Sequence, residues 1–117
     1  MRILAIVLSL TLLTGCTTIK KYWPRAHDPV MFDHLVAVSV AVDNVDCTKP
    51  DWLLAINQSH HLARYAEWRQ DPQSENLKGL SAHTERMSKG GSKMFCELGK
   101  KTALQRIDAA KSAWEGR

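Results

Sequence analysis

The chain contains no apolar run long enough to cross a bilayer. Its longest such stretch, Ile3 to Leu13, falls well short of the roughly 20 residues that a spanning helix needs, and the sequence turns polar after Cys16 with Thr17, Thr18, Lys20 and Lys21. A glycine-rich phosphate loop, a nucleophile elbow and a Cys/His catalytic signature are all missing, which removes the recognisable motifs of phosphoryl transfer and nucleophilic hydrolysis. There is no internal repeat and no low-complexity tract. Basic residues do not cluster: 16 Lys and Arg are interspersed with 12 Asp and Glu, whereas nucleic-acid-binding domains concentrate basic charge on one face. No nucleic-acid partner is expected.

What is present points to a packed fold at an unusual address. Hydrophobic content of 44% with four tryptophans argues for a core rather than disorder. Arg2 provides a short positive region, Ile3 to Leu13 an apolar one of about eleven residues, and Leu13-Thr14-Gly15-Cys16 closes it with small residues before a cysteine. In this stretch the chain resembles the bacterial lipoprotein class, whose lipobox Leu13, Thr14, Gly15 and Cys16 match at every position. The resemblance covers residues 1–16 alone. It implies a thioether diacylglycerol on Cys16, cleavage between Gly15 and Cys16, and acylation of the new amino terminus. Two or more lipid chains anchor a protein stably, so a membrane location is expected. Thr17 rather than Asp follows the cysteine, which by the same resemblance favours the periplasmic face of the outer membrane.

Removal of residues 1–15 would leave about 102 residues, enough for one domain with a modest core. With Cys16 assigned to lipid, Cys47 and Cys96 are the only cysteines left, and an oxidising periplasm predicts a disulfide between them. On the chain-entropy account, closing a loop of about fifty residues stabilises by roughly 4 kcal/mol. The covalent lipid is the only non-protein group expected; neither a cofactor nor a metal is.

Residues 16–27 read as a tether, with Lys20, Lys21 and Arg25 basic and Tyr22 and Trp23 between them before Pro24. Two readings are open. Basic side chains and interfacial aromatic rings suit an anionic membrane surface, and the same segment also suits a spacer whose Trp23 packs on the domain.

The domain, residues 28–117, reads as all-α: a small four-helix bundle or paired helical hairpins following the signal peptide and a flexible tether. Asp28-Pro29 supplies an N-cap and a first-turn proline. Met31, Leu35, Val38, Val42 and Val45 then repeat at helical spacing, although Val36, Val38, Val40 and Val42 also alternate as in a strand. Thr48 to Asp51 resembles a capping box for a second helix reaching about Arg69. On that helix Trp52, Ala55, Ile56, Ser59, Leu62, Ala63 and Ala66 share one face, and Leu54, His61, Tyr65 and Trp68 nearly the opposite one. Asp71-Pro72 predicts the start of a third helix carrying Leu77, Leu80, Thr84 and Met87, which Gly90-Gly91 ends. Ser92 caps a fourth, with Cys96, Gly99, Ala103, Ile107, Ala110 and Trp114 on one side.

Little of this carries chemistry. His60 and His61 diverge by about 100° on a helix and lack a His, Asp or Glu at the spacing of helical zinc sites; His83 lies on another helix. Asp43 with Asp46, and Asp71 with Glu75, sit at helix ends, where capping and the helix dipole account for them. The sequence therefore predicts a protein without catalytic activity. The candidate interaction surface is Leu54, His61, Tyr65, Trp68 and Arg69, rich in residue types that dominate binding hot spots. Its alternative is a sandwiched helix in which Tyr65 and Trp68 are core and Arg69 pairs locally. The expected function is protein–protein interaction with an envelope partner. A small carrier with a cavity lined by Leu54, His61 and Met87 is an alternative, as is a phage-type exclusion lipoprotein or an inhibitor of an envelope enzyme.

Overall fold

A computed structural model of the chain describes residues 28–116. The lipobox Leu13, Thr14, Gly15 and Cys16 and the tether residues Lys20, Lys21, Tyr22, Trp23 and Arg25 lie outside the described residues, as does Arg117.

Four helices make up the described residues: α1 (Pro29–Asp43), α2 (Leu53–Trp68), α3 (Ser74–Ser88) and α4 (Lys93–Glu115). None is long and apolar enough to cross a membrane. Each helix packs on its neighbours in sequence, and α4 returns to pack on α1, closing an all-α four-helix bundle. Short connections force adjacent helices to run antiparallel, so each end of the bundle carries two helix starts and two helix ends. The Cys47–Cys96 disulfide, with Cα atoms 5.6 Å apart, joins the loop after α1 to the first turn of α4. Asp28, the C-terminus of α2 and Trp114 gather at the other end.

The first helix begins as its sequence requires. Asp28 Oδ1 accepts from the Val30 and Met31 backbone N–H groups at 3.0 and 3.1 Å, and Pro29 occupies the first turn, where a missing N–H costs nothing. The strand alternative for residues 36–42 is resolved by burial: Val38 and Val42 are inside, while Val36 and Val40 are 48% and 52% exposed, as a 3.6-residue period demands. At the C-terminal end, Lys100 Nζ donates to the carbonyl oxygens of Asp43 and Val45 at 3.0 and 2.9 Å. A cation thus satisfies the last carbonyl of α1 and one in the loop just beyond it.

Two helix starts differ from the sequence reading. No capping box forms at Thr48: Asp46 accepts both the backbone N–H and the hydroxyl of Thr48, while Asp51 accepts from Leu53 N at 3.0 Å and the helix opens one turn later. The short carboxylate satisfies an N–H two residues on more readily than it reaches back as a Glu would. Likewise Asp71 does not open α3. It accepts from Gln73 N at 2.8 Å within a turn, and the helix starts at Ser74. By contrast Ser92 caps α4 as expected, through Phe95 N at 3.1 Å. Gly90 and Gly91 take φ of 104° and 139°, a region that side-chain-bearing residues rarely enter.

The core follows the stripes. Trp52, Leu62, Leu77, Leu80, Ile107 and Trp114 are buried with the small residues Ala55, Ala66, Ala103 and Ala110. Gly99 lets α3 and α4 approach closely, since a Cβ there would collide with the end of the buried Met87 side chain. Two hydroxyls are enclosed and satisfied: Ser59 and Thr84 meet at 3.0 Å, and Thr84 also donates to Ser81 O at 2.8 Å.

Candidate functional site

The outer side of α2 was expected to be one surface or one buried face, and the structure divides it. Trp68 is 77% exposed and Leu54 59%, so neither is core. Tyr65 is half-buried against α1, its hydroxyl donating to Asp28 Oδ2 at 2.9 Å. His61 is exposed, and its ring lies 4.5 Å from that of His34 on α1, with an interplanar angle of 56°. Arg69 pairs with Asp28 Oδ2 across the helix junction at 3.4 Å rather than locally. The sandwiched-helix alternative therefore fails for Trp68 and holds in part for Tyr65. Only α1 and α3 flank α2, leaving its outward quadrant uncovered by the described residues.

Asp28 links this region to the start of the domain. Burial raises its pKa, but hydrogen bonds from the Met31 N–H, the Tyr65 hydroxyl and the Val30 N–H, with the charge of Arg69, outweigh burial and hold it below the ordinary 3.8. The phenol responds in the opposite direction. Its hydrogen bond to the Asp28 carboxylate, followed by desolvation and the same negative charge, raises the Tyr65 pKa.

Beside Trp68 runs an open groove of about 660 Å³ between α2 and α3, lined by His61, Arg64, Tyr65, Trp68, Lys78 and Glu85 among others. Leu54 lies outside it: fourteen residues before Trp68, it is about 21 Å away along the helix axis. Exposed polar pairs border the groove. His60 Nε2 meets Glu85 Oε1, and Lys78 reaches Glu67 at 3.6 Å and Glu75 at 3.4 Å. Arg64, one turn before Trp68, is in none of the ion pairs among the described residues. An exposed indole beside an available guanidinium presents apolar area and fixed donors together, the combination on which binding hot spots rest. Sequence reasoning did not single out Arg64, Lys78 or Glu85. The four-residue spacing of Arg64 and Trp68 was a signal for the first, whereas the other two come from a different helix.

The remaining histidine among the described residues is occupied structurally, with His83 Nε2 donating to Gly99 O at 2.8 Å. Among the described residues no three of His, Cys, Asp and Glu converge as metal ligands. A second, shallower groove of about 500 Å³ lies between α1 and α4 and includes Asp43, Glu97, Lys100, Lys101 and Asp108. No protein-family model, curated protein or solved structure is significantly similar to the chain.

Proposed function

We propose that the protein is a lipid-anchored envelope lipoprotein that acts without catalysis, by holding the outer face of α2 toward a protein partner at the periplasmic face of the outer membrane. The observation that carries the interaction reading is Trp68, the most exposed of the large hydrophobic side chains among the described residues and set beside a groove with Arg64. An indole left in water at 77% exposure contributes nothing to the core, and burying it on a partner gains roughly 25 cal/mol per Å². The helix fixes the backbone positions of Trp68 and Arg64 one turn apart, so no backbone ordering is needed on binding. The lipobox Leu13-Thr14-Gly15-Cys16 supports the anchor, and the disulfide is compatible with an oxidising compartment.

The carrier reading has less support. Of Leu54, His61 and Met87, only His61 lines the larger groove; Met87 is buried against Gly99 and Leu54 stands apart.

Proximity labelling in cells from the intact lipoprotein tests the proposal against two variants. Cys16→Ala is expected to release the protein from the membrane fraction. Trp68→Ala with Arg64→Ala is expected to keep the location and lose the labelled neighbours. Unchanged labelling in the second variant sinks the α2 assignment, and unchanged fractionation in the first sinks the anchor.

A further inference from the structure

The outward face of α1 is a further exposed apolar surface. Val36 and Val40 stand 48% and 52% exposed at consecutive turns, bracketed by the exposed carboxylates of Asp33 and Asp43. Neither aspartate is ion-paired among the described residues, and no Lys or Arg occurs anywhere from Asp28 to Asp46. The face is therefore apolar at its centre and negative at both ends. A complement must be apolar or aromatic at its centre and basic at both ends.

The chain carries such a segment directly before α1. Residues 20–25 run Lys20, Lys21, Tyr22, Trp23, Pro24 and Arg25, and the 27 residues that precede Asp28 include no Asp or Glu. We propose that residues 20–25 fold back antiparallel along α1, placing Arg25 at Asp33, Trp23 on Val36 and Val40, and Lys20 and Lys21 at Asp43.

Length fits the register. At about 1.5 Å per residue, Asp33, Val36, Val40 and Asp43 lie roughly 8, 12, 18 and 22 Å along the helix from Asp28. At about 3.3 Å per residue, Arg25, Trp23, Lys21 and Lys20 reach roughly 10, 16, 23 and 26 Å from the same point. At nearly full extension Arg25 thus reaches the level of Asp33, Trp23 arrives between Val36 and Val40, and Lys21 and Lys20 reach the level of Asp43. The proline helps, because the residue before it is held away from the helical region and toward extended backbone.

Other occupants fit less well. In an antiparallel α1–α1 contact between two copies, Asp33 would face Asp43, and in a parallel one each would face itself. An anionic lipid surface would meet the carboxylates of Asp33 and Asp43, with the nearby Lys100 ammonium already held on the Asp43 and Val45 carbonyls. On the outer face of α2 the basic segment would meet Arg64, Arg69 and Lys78, and the acids there, Glu67 and Glu85, already pair with Lys78 and His60.

The test is trypsin cleavage after Lys20, Lys21 and Arg25 in the full chain, purified in an uncharged detergent, with the bundle monitored by helicity. Docking makes these sites slow. Val36→Lys with Val40→Lys, and separately Asp33→Lys with Asp43→Lys, are expected to speed their cleavage on the order of tenfold without loss of helicity, since cleavage follows the population of the open form. Methyl NMR gives a second readout: Val36 and Val40 methyl signals shifted by the indole ring current move to ordinary positions in Trp23→Ala. Equal cleavage rates in all variants, or methyl signals indifferent to Trp23→Ala, overturn the proposal. So does protection that develops only when phosphatidylglycerol vesicles are added, because the segment then lies on lipid instead of on α1.

Discussion

Asp28 and Tyr65, separated by 37 residues, share a hydrogen bond of 2.9 Å that ties the first residue of the described domain to the last turn of α2. The same carboxylate caps α1 with its other oxygen, and the Arg69 guanidinium lies beside it. One side chain therefore holds a helix start and a helix–helix junction together.

Removing that carboxylate is expected to cost more than an ordinary cap. Asp28→Ala loses the cap, worth about 1 kcal/mol, and also the tie to Tyr65 and Arg69, so a total of about 2 kcal/mol is expected from urea unfolding. Asp28→Asn retains an acceptor for the cap and should lose less.

Acid sensitivity follows from the same group. Its pKa in the folded state lies below the ordinary 3.8, so it contributes stability that is fully present above that value and is lost as pH falls through the folded value. Melting temperature measured from neutral pH down to acid should fall more steeply for the wild type than for Asp28→Asn. Equal slopes would show that the carboxylate contributes no such linkage.

Reducing the Cys47–Cys96 disulfide, or replacing both cysteines with alanine, is expected to lower stability by about 4 kcal/mol, because the bond closes a long loop in the unfolded chain. Denaturant melts with and without reductant measure it directly. A change below about 1 kcal/mol would imply a compact reduced unfolded state.

Two tryptophans in the core should respond differently to phenylalanine. Trp114 donates its indole N–H to Asp71 Oδ1 at 3.1 Å, whereas the Trp52 N–H is buried without a partner. Both substitutions leave a cavity, but Trp114→Phe also removes a hydrogen bond to a charged acceptor, worth about 1.5 to 3 kcal/mol. Trp114→Phe should therefore be the more destabilising by chemical denaturation, and Trp68→Ala on the surface should change stability by less than about 0.5 kcal/mol.

Gly99→Val is expected to cost about 1 to 3 kcal/mol, since any Cβ meets Met87 in a packed interior. Pairing it with Met87→Ala should recover part of the loss, and simple additivity in the double mutant would disprove the contact.

The backbone architecture was legible because each helix writes its own period. Stripes such as Met31, Leu35, Val38 and Val42, or Cys96, Gly99, Ala103 and Ile107, identify the buried side from local spacing alone, and all of these residues are buried. Asp28-Pro29 and Ser92 marked two helix starts correctly for the same local reason. Thr48 and Asp71 misled, because a carboxylate can cap a turn as readily as a helix, and only the course of the chain chooses between them.

The candidate site was legible only in part. Trp68, Tyr65, His61 and Arg69 stood out by residue type, yet type does not state exposure. By itself the sequence determined the four helices of the described residues and their buried stripes, since those depend on spacing, and it pointed to the pairing of Cys47 with Cys96 once the lipobox resemblance had set Cys16 aside. The tertiary structure alone decided that Trp68 stays in water while Tyr65 is held to Asp28, and that Lys78 and Glu85 from α3 border the same groove as Arg64. Which residues on opposite helices come together depends on how the bundle closes, and a single helix does not encode the position of its neighbour.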